Sequence, residues 1–454
     1  MEGTGPGSMS FVPAKERVWV RAMLGFIADL GRKYLPGCPE ASPLDTALTL
    51  CRHLFSGQGE ASGVAIAREI IDLYRQLPDA ERTAFFERVA AEFAPDAEAI
   101  VAAAQGFVAT RGPEAYLRLV ATVEPPTQEL FRRLNTAPGA TGMIVKMREH
   151  LLGLLEERAR LRPLERDLQH LLHSWFNPGF LTFERIDWRT SAAVLEKLIA
   201  YEAVHEITGW DDLRRRLADD RRCFAFFHPA LPEEPLIFVE VALTRGLPAT
   251  IATLLDAKPA TGPSPADSAI FYSISTCQPG LVGISFGNFL IKQVVVAISA
   301  ELPRIATFAT LSPVPGFRRW LEDALRDPAS PLLSPAEQTL LSDLHWTPAE
   351  LREPNVVELL PRLCAHYLLE AKRNAHALDP VARFHLGNGA SIERIACAAD
   401  LSDKGIRQSA GIMVSYLYRA EDIVANHEAY VREGRIAVSA PVKRLLTRRR
   451  WLGT

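Results

Sequence analysis

The sequence predicts a two-part α plus α/β protein, an all-helical bundle followed by a mixed sheet flanked by helices. Residues 14–174 keep helical period almost throughout, strand-like runs begin only after Trp175, and two of those runs flank a glycine-bearing loop and one helical stretch. A chain of 454 residues is long for one core. Its 48% hydrophobic content is ordinary for globular proteins, so each part can bury a core of its own.

The opening MEGTGPGS ahead of Met9 reads as a disordered tail or a cloning remnant over residues 1–13. The helical part, 14–174, follows. VWVRAMLGFIADLGRKYL, ASGVAIAREIIDLYRQL, DAERTAFFERVAAEF, PEAYLRLVATV and TQELFRRL each space apolar residues three and four apart, with Pro and Gly at the joints. Short joints imply antiparallel neighbours in a bundle. Acidic and histidine residues do not recur there at the Glu-x-x-His spacing of a di-metal bundle, which points to a scaffold or assembly role.

In the second part, 175–454, LIFVEVALT (236–244), AIFYSIST (269–276) and RIATFATLS (304–312) are rich in β-branched and aromatic residues. One helix, about Gly287 to Leu302, separates the last two. If those strands are parallel, a right-handed crossover brings Ser312, at the end of the second, to the sheet edge where the loop leaves the first. The stretch STCQPGLVGISFGNFLIKQVV (275–295) places Gly280, Gly283 and Gly287 before the helix. Free backbone N–H groups at a helix start favour an anion. The pattern is neither GxGxxG nor a Walker loop, so spacing alone leaves a structural turn and a phosphate cradle both open.

In RFHLGNGASIERI (383–395), Asn388–Gly389 is a strong hairpin pair and places His385 on a strand just before a tight turn. Spacing alone does not select His385 from the eleven histidines, and His228 in FFHPALPEEP reads as part of a strand-entry loop. A net charge of −3 gives no reason to expect nucleic acid. No run reaches the ~18 unbroken apolar residues of a membrane span. The six cysteines form neither a CxxC pair nor a Cys/His cluster, which fits reduced thiols in the cytoplasm and argues against structural zinc. KRLLTRRRW (443–451) reads as a solvated basic helix, with phosphate or partner contacts as the alternative.

Taken in order, RRCFAFFHPALPEEPLIFVEVALT, AIFYSISTCQPGLVGISFGNFLIKQVV, TLSPVPGFRRWL, LDPVARFHLGNGASIERI and GIMVSYLY resemble the malonyl-CoA decarboxylase family from about Trp175 to Tyr418. The resemblance implies a helical oligomerisation domain over 14–174, with a tetramer as the family's assembly. It also implies a catalytic, acyl-CoA-binding domain over 175–454 with a GNAT-like fold. The implied reaction converts malonyl-CoA to acetyl-CoA and carbon dioxide with no metal and no organic cofactor. The catalytic serine before Pro-x-Pro-Gly-Phe maps to Ser312 and the histidine of Phe-His-Leu-x-Asn-Gly-Ala to His385. The acyl-CoA loop maps to Val282, Gly283, Ile284, Ser285, Phe286, Gly287 and Asn288, with Ile291 on the helix behind it and Ser273 and Tyr418 near the pocket. Ser285 stands where the animal form of this loop has a glutamate, so the Ser/His pair carries more of the chemistry. Two alternatives remain at this level: a GNAT-like acyl-CoA transferase, which needs an acceptor and releases no carbon dioxide, and a non-catalytic acyl-CoA-binding scaffold.

Overall fold

The computed structural model describes residues 42–56, 59–256, 266–284, 290–327 and 332–447, together with Met23, Gly25, Phe26 and Asp29. The tail 1–13, the loop residues Ser285, Phe286, Gly287 and Asn288, and the end of the basic stretch lie outside the described residues, as does nearly all of the first predicted helix. Of the described residues, those up to 182 with 227–234 and 278–284 form one compact unit; 183–226, 235–277 and 290–447 form the other.

The first unit is helical: α1 (Pro43–His53), α2 (Glu60–Gln76), α3 (Asp79–Glu92), α4 (Ala97–Thr110), α5 (Pro113–Val123), α6 (Pro126–Leu134), α7 (Ala140–Leu154) and α8 (Arg162–Trp175). Starts follow local chemistry. Ser42 caps α1 by accepting from the Asp45 N–H, Asp96 caps α4 by accepting from Glu98 and Ala99, and prolines open α1, α5 and α6. The apolar faces meet in a core that includes Leu48, Ile66, Phe85, Phe86, Phe131 and Leu168. By contrast, α4 buries none of its residues and α5 only Ala115.

Two segments from later in the chain complete this unit. In 227–234 the His228 ring lies 4.7 Å from that of Phe176. In 278–284 the backbone is drawn against α7: Arg148, 1% exposed, pairs with Glu165 at 2.7 Å and donates Nη1 to the Gly280 carbonyl at 2.6 Å. A Cβ on Gly280 would stand 1.9 Å from the Val145 carbonyl oxygen. Gly280 therefore makes room for a helix of the protein itself.

The second unit is built on an eight-stranded sheet. Its strands are β1 (Thr182–Ile186), β2 (Arg221–Phe227), β3 (Ile237–Thr244), β4 (Ser268–Thr276), β5 (Thr307–Thr310), β6 (Ser312–Pro313), then β9 (Ser391–Ala396) and β10 (Met413–Tyr418); β7 (Lys372–Arg373) and β8 (His376–Ala377) pair separately. The order is β1-β2-β3-β4-β5-β10-β6, with β9 also on β10. Helices α9 (Ala192–Tyr201), α10 (Trp210–Arg216), α11 (Ala252–Leu255), α12 (Leu290–Glu301), α13 (Phe317–Leu325), α14 (Pro335–Ser342), α15 (Pro354–Leu369), α16 (Pro380–Gly387), α17 (Asp403–Ser409), α18 (Ile423–Glu433) and α19 (Ala440–Thr447) accompany it. One core joins Val239, Val241 and Phe271 to α12 and α15; another joins Ala242, Ile270 and Leu311 to α11.

The strand, loop, helix, strand unit is as predicted: β4 and β5 are parallel, joined through α12. Their pairing runs from Ser268–Thr307 to Phe271–Thr310 and then stops. At that level β4 shifts register against β3, between the pairs Val241–Phe271 and Glu240–Ser273, while β6 goes on with β10. A bulge and a change of partner at one level part the strands locally.

His385 is not on a strand. It lies in the last turn of α16, whose start is set by Asp379 accepting from the Val381 and Ala382 N–H groups and by Pro380 at the first helical position. Asn388–Gly389 ends this helix and turns no hairpin. The Ala390 N–H returns to the His385 carbonyl, Gly389 takes φ +84°, and a Cβ there would meet the Ile423 carbonyl oxygen at 2.1 Å.

Candidate active site

Where β4 and β5 part, the second unit holds a cavity of about 240 Å³ lined by Tyr272 and Ile274 of β4, Ser312 of β6, and Val381, Phe384 and His385 of α16, among others. The walls are mostly apolar, and Ser312 and His385 converge within them. Ser312 Oγ lies 3.1 Å from His385 Nε2 and donates to Thr310 Oγ1 at 2.9 Å. On its other side, His385 Nδ1 lies 2.7 Å from the Tyr418 hydroxyl. The Tyr416 ring stacks on the imidazole at 4.5 Å and 25°.

Burial sets the protonation of this row. It lowers the His385 pKa to about 3, so the free site holds a neutral imidazole at pH 7. It also raises the Tyr418 phenol well above its ordinary value, so Tyr418 keeps its proton. A phenol that donates to Nδ1 keeps its proton paired with the ring nitrogen it meets. The ring proton then sits on Nε2 and points at Ser312 Oγ. The Ser312 proton in turn points at Thr310.

Two supports hold Ser312 and His385 at this spacing. Asp379, fully buried, caps α16 with one oxygen while its other takes the Gly316 N–H at 3.4 Å and the Tyr367 hydroxyl at 3.5 Å. It thus ties the helix carrying His385 to the SPVPGF segment carrying Ser312. Glycine leaves room at position 316 for the Tyr367 hydroxyl, which a Cβ would meet at 2.2 Å. The Val314 N–H donates to Ser409 Oγ at 3.0 Å, pinning the same segment to α17.

The structure therefore brings together Ser312, His385 and Tyr418 of the predicted site. Ser273 is engaged elsewhere: its hydroxyl lies 2.8 Å from both Glu202 oxygens, and that carboxylate also accepts from Ser275 and from the Val204 and His205 N–H groups. Ile291 is buried in the core with Phe271 and Val294. Val282, exposed, and Gly283, at φ +79°, belong to the helical unit with the buried Ile284. Sequence reasoning missed Thr310, Tyr416 and Asp379. Alternation along VSYLY places Tyr416 and Tyr418 on one face, and the Asp-Pro pair is an N-cap signal; nothing local marks Thr310. No group of three or more His, Cys, Asp or Glu residues that could hold a metal occurs among the described residues. Nor is any helix among them long and apolar enough to cross a membrane.

Comparison with known proteins matches the chain to malonyl-CoA decarboxylases. The model of the malonyl-CoA decarboxylase C-terminal domain matches residues 179–451, and that of the malonyl-CoA decarboxylase N-terminal domain matches 93–176. The mitochondrial malonyl-CoA decarboxylase of Anser anser anser is 36% identical over 346 residues, 70% of this chain and 69% of that one. The Mus musculus enzyme is 34% identical over 357 residues, 72% and 73% of the two chains. Among solved structures, malonyl-CoA decarboxylase from Rhodopseudomonas palustris superposes with a TM-score of 0.84 at 48% identity, covering 89% of this chain and 100% of its own. That from Agrobacterium vitis gives 0.82 at 50%, covering 88% and 99%.

Proposed function

The chain belongs to the malonyl-CoA decarboxylase family, and on that premise we propose that it converts malonyl-CoA to acetyl-CoA and carbon dioxide in the cavity between β4 and β6. The observation that carries the mechanism is the buried row Tyr418, His385, Ser312, Thr310 facing an apolar pocket. Losing carbon dioxide leaves the electrons of the broken C–C bond in an enolate of the acetyl thioester. That enolate needs donors at its oxygen and a proton at its carbon. Preoriented donors in a site that excludes water stabilise such charge strongly.

Ser312 orients the malonyl carboxylate and supports the developing charge; His385 delivers the proton. A neutral imidazole is a poor acid, so the ring must take up a proton from solvent as the substrate binds, and that proton passes to the enolate carbon. A malonyl carboxylate beside the ring favours imidazolium and raises the low pKa of the free site. A positioned general acid contributes on the order of 100-fold to 10,000-fold. The CoA part is assigned, from the family resemblance, to the loop Val282, Gly283, Ile284, Ser285, Phe286, Gly287 and Asn288. No metal or organic cofactor takes part, so turnover should persist in EDTA.

We also assign the helical unit to homo-oligomer formation, with a tetramer as the expected assembly. The exposed Val101, Val108, Leu117 and Val120 on α4 and α5 support this, and light scattering tests it. The cytoplasm is the proposed compartment, resting on the cysteine usage and tested by cell fractionation against the mitochondrial label of the animal relatives.

The deciding experiment measures carbon dioxide and acetyl-CoA from malonyl-CoA with the purified protein beside folded Ser312→Ala and His385→Ala variants. Stoichiometric products from the parent and a large loss in both variants are expected. A folded parent that binds CoA without turnover, or that passes the acyl group to an amine or alcohol without carbon dioxide release, would overturn the proposal.

A further inference from the structure

Thr310 ends β5 and is 1% exposed. Its Oγ1 accepts twice, from Ser312 Oγ–H at 2.9 Å and from the backbone N–H of Tyr416 at 3.2 Å. The second bond fixes the first. Backbone pairing joins Phe308 to Tyr418 and Ala309 to Leu417, then resumes at Ser312 with Val414. Thr310 falls between, opposite Tyr416, and its side chain meets that strand's N–H. The hydroxyl oxygen is thus anchored to the sheet, and residue 312, two positions on along the same strand direction, reaches it.

A Ser312 proton held by Thr310 is turned away from the pocket. Ser312 Oγ then faces His385 Nε2–H and the cavity with its lone pairs, which suits the free site and does not suit a carboxylate. To donate to a malonyl carboxylate or to the enolate oxygen, Ser312 must swing its proton into the cavity. Ser312 Oγ keeps the His385 Nε2–H and Thr310 Oγ1 keeps the Tyr416 N–H, but that turn breaks the bond between the two hydroxyls unless Thr310 supplies a donor in its place. Thr310 has one. Its own proton is free to turn to Ser312 Oγ while its oxygen still accepts from Tyr416. The bond between the hydroxyls reverses direction and is never lost; no covalent bond changes and no net proton moves.

We infer that Thr310 is a positioning residue for Ser312, a reversible hydrogen-bond partner that lets the serine accept in the free site and donate in the occupied one. This rests on the proposed decarboxylation. It assigns Thr310 no contact with substrate, so its loss acts on kcat through Ser312.

The test is a double-mutant cycle on the full-length protein, with kcat and KM for malonyl-CoA measured by carbon dioxide release and folding checked by thermal melting. Thr310→Val keeps the branched shape and removes the hydroxyl; it should lower kcat about 10-fold to 100-fold and leave KM within about 3-fold, while Thr310→Ser restores most of the rate. In a Ser312→Ala background, Thr310→Val should cost nothing further. A Thr310→Val enzyme as fast as the parent overturns the inference. So does a loss of equal size with and without Ser312, because the threonine then serves only the sheet. Should Thr310→Val fail to fold, Thr310→Cys, whose sulfur is a weak acceptor, is read in the same cycle. A parent without decarboxylation removes the proposed function and this inference together; an active parent with an additive cycle removes this inference alone.

Discussion

Acidification should cost this protein stability through His385. In the folded chain burial holds the imidazole neutral down to about pH 3, against an ordinary value of 6.5 in an unfolded chain. Between those values the unfolded chain carries a proton that the folded chain lacks. The contribution is present above pH 6.5 and is lost progressively as pH falls towards 3. One proton corresponds to about 1.4 kcal/mol per pH unit, and the unfolded imidazole is already half protonated at 6.5, so acidifying from 6.5 to 4.5 should remove roughly 2.3 kcal/mol through this side chain. Other groups titrate in the same window, so the quantity to measure is a difference. Parent and His385→Gln are unfolded by denaturant at pH 7.5, 6.5, 5.5 and 4.5. Glutamine cannot titrate, and below about pH 6 the parent should lose stability more steeply than the variant by ~1.4 kcal/mol per unit. Any constant cost of the substitution drops out of the slope. Parallel curves would refute a neutral buried His385. A parent losing less than the variant on acidification would mean that the imidazolium has an anionic partner in the folded chain.

Gly280→Ala should destabilise the helical unit by about 1–3 kcal/mol, because its Cβ meets the Val145 carbonyl. Gly283→Ala, strained by φ +79° with only the end of Gln169 nearby, should cost about 1–2 kcal/mol. Thermal melts compare them, and a harmless Gly280→Ala would refute the close approach. Asp379→Ala should lose about 1 kcal/mol of helix capping and, by loosening α16 against SPVPGF, lower kcat about tenfold. Asp379→Asn, which still accepts, should recover most of both in melts and steady-state kinetics.

Much of the scaffold was legible locally. β3 and β4 appear where β-branched and aromatic residues cluster, and the glycine loop and α12 separate a parallel pair as the crossover argument requires. Helix starts announce themselves through Ser42, Asp96, Pro113 and Pro126. The misplacement of His385 on a strand shows the limit. Two local signals compete there, Asn388–Gly389 for a hairpin and Asp379–Pro380 for a helix. The same Asn-Gly pair also serves as a helix stop when the preceding residues are already helical. Burial of Asp379 against Gly316 and Tyr367, far apart in sequence, adds to the helical choice.

The pocket separates the two kinds of information most clearly. Ser312 and His385 stand out within recognisable stretches, because SPVPGF and FHLGNGA are sequence patterns and their order along the chain is read directly. Their distance of 3.1 Å, the low basicity of the ring and the direction of each proton come from groups brought in by the sheet and by α16. Thr310 has no sequence mark because its role depends on facing Tyr416 across a break in the ladder. Ser273 is taken by a carboxylate 71 residues away. The sequence alone determines which side chains exist and, through short-range dihedral and capping preferences, which elements they enter. The tertiary structure decides which of those side chains lose water and which donors they meet, since desolvation and hydrogen-bond pairing belong to the packed assembly of residues distant along the chain.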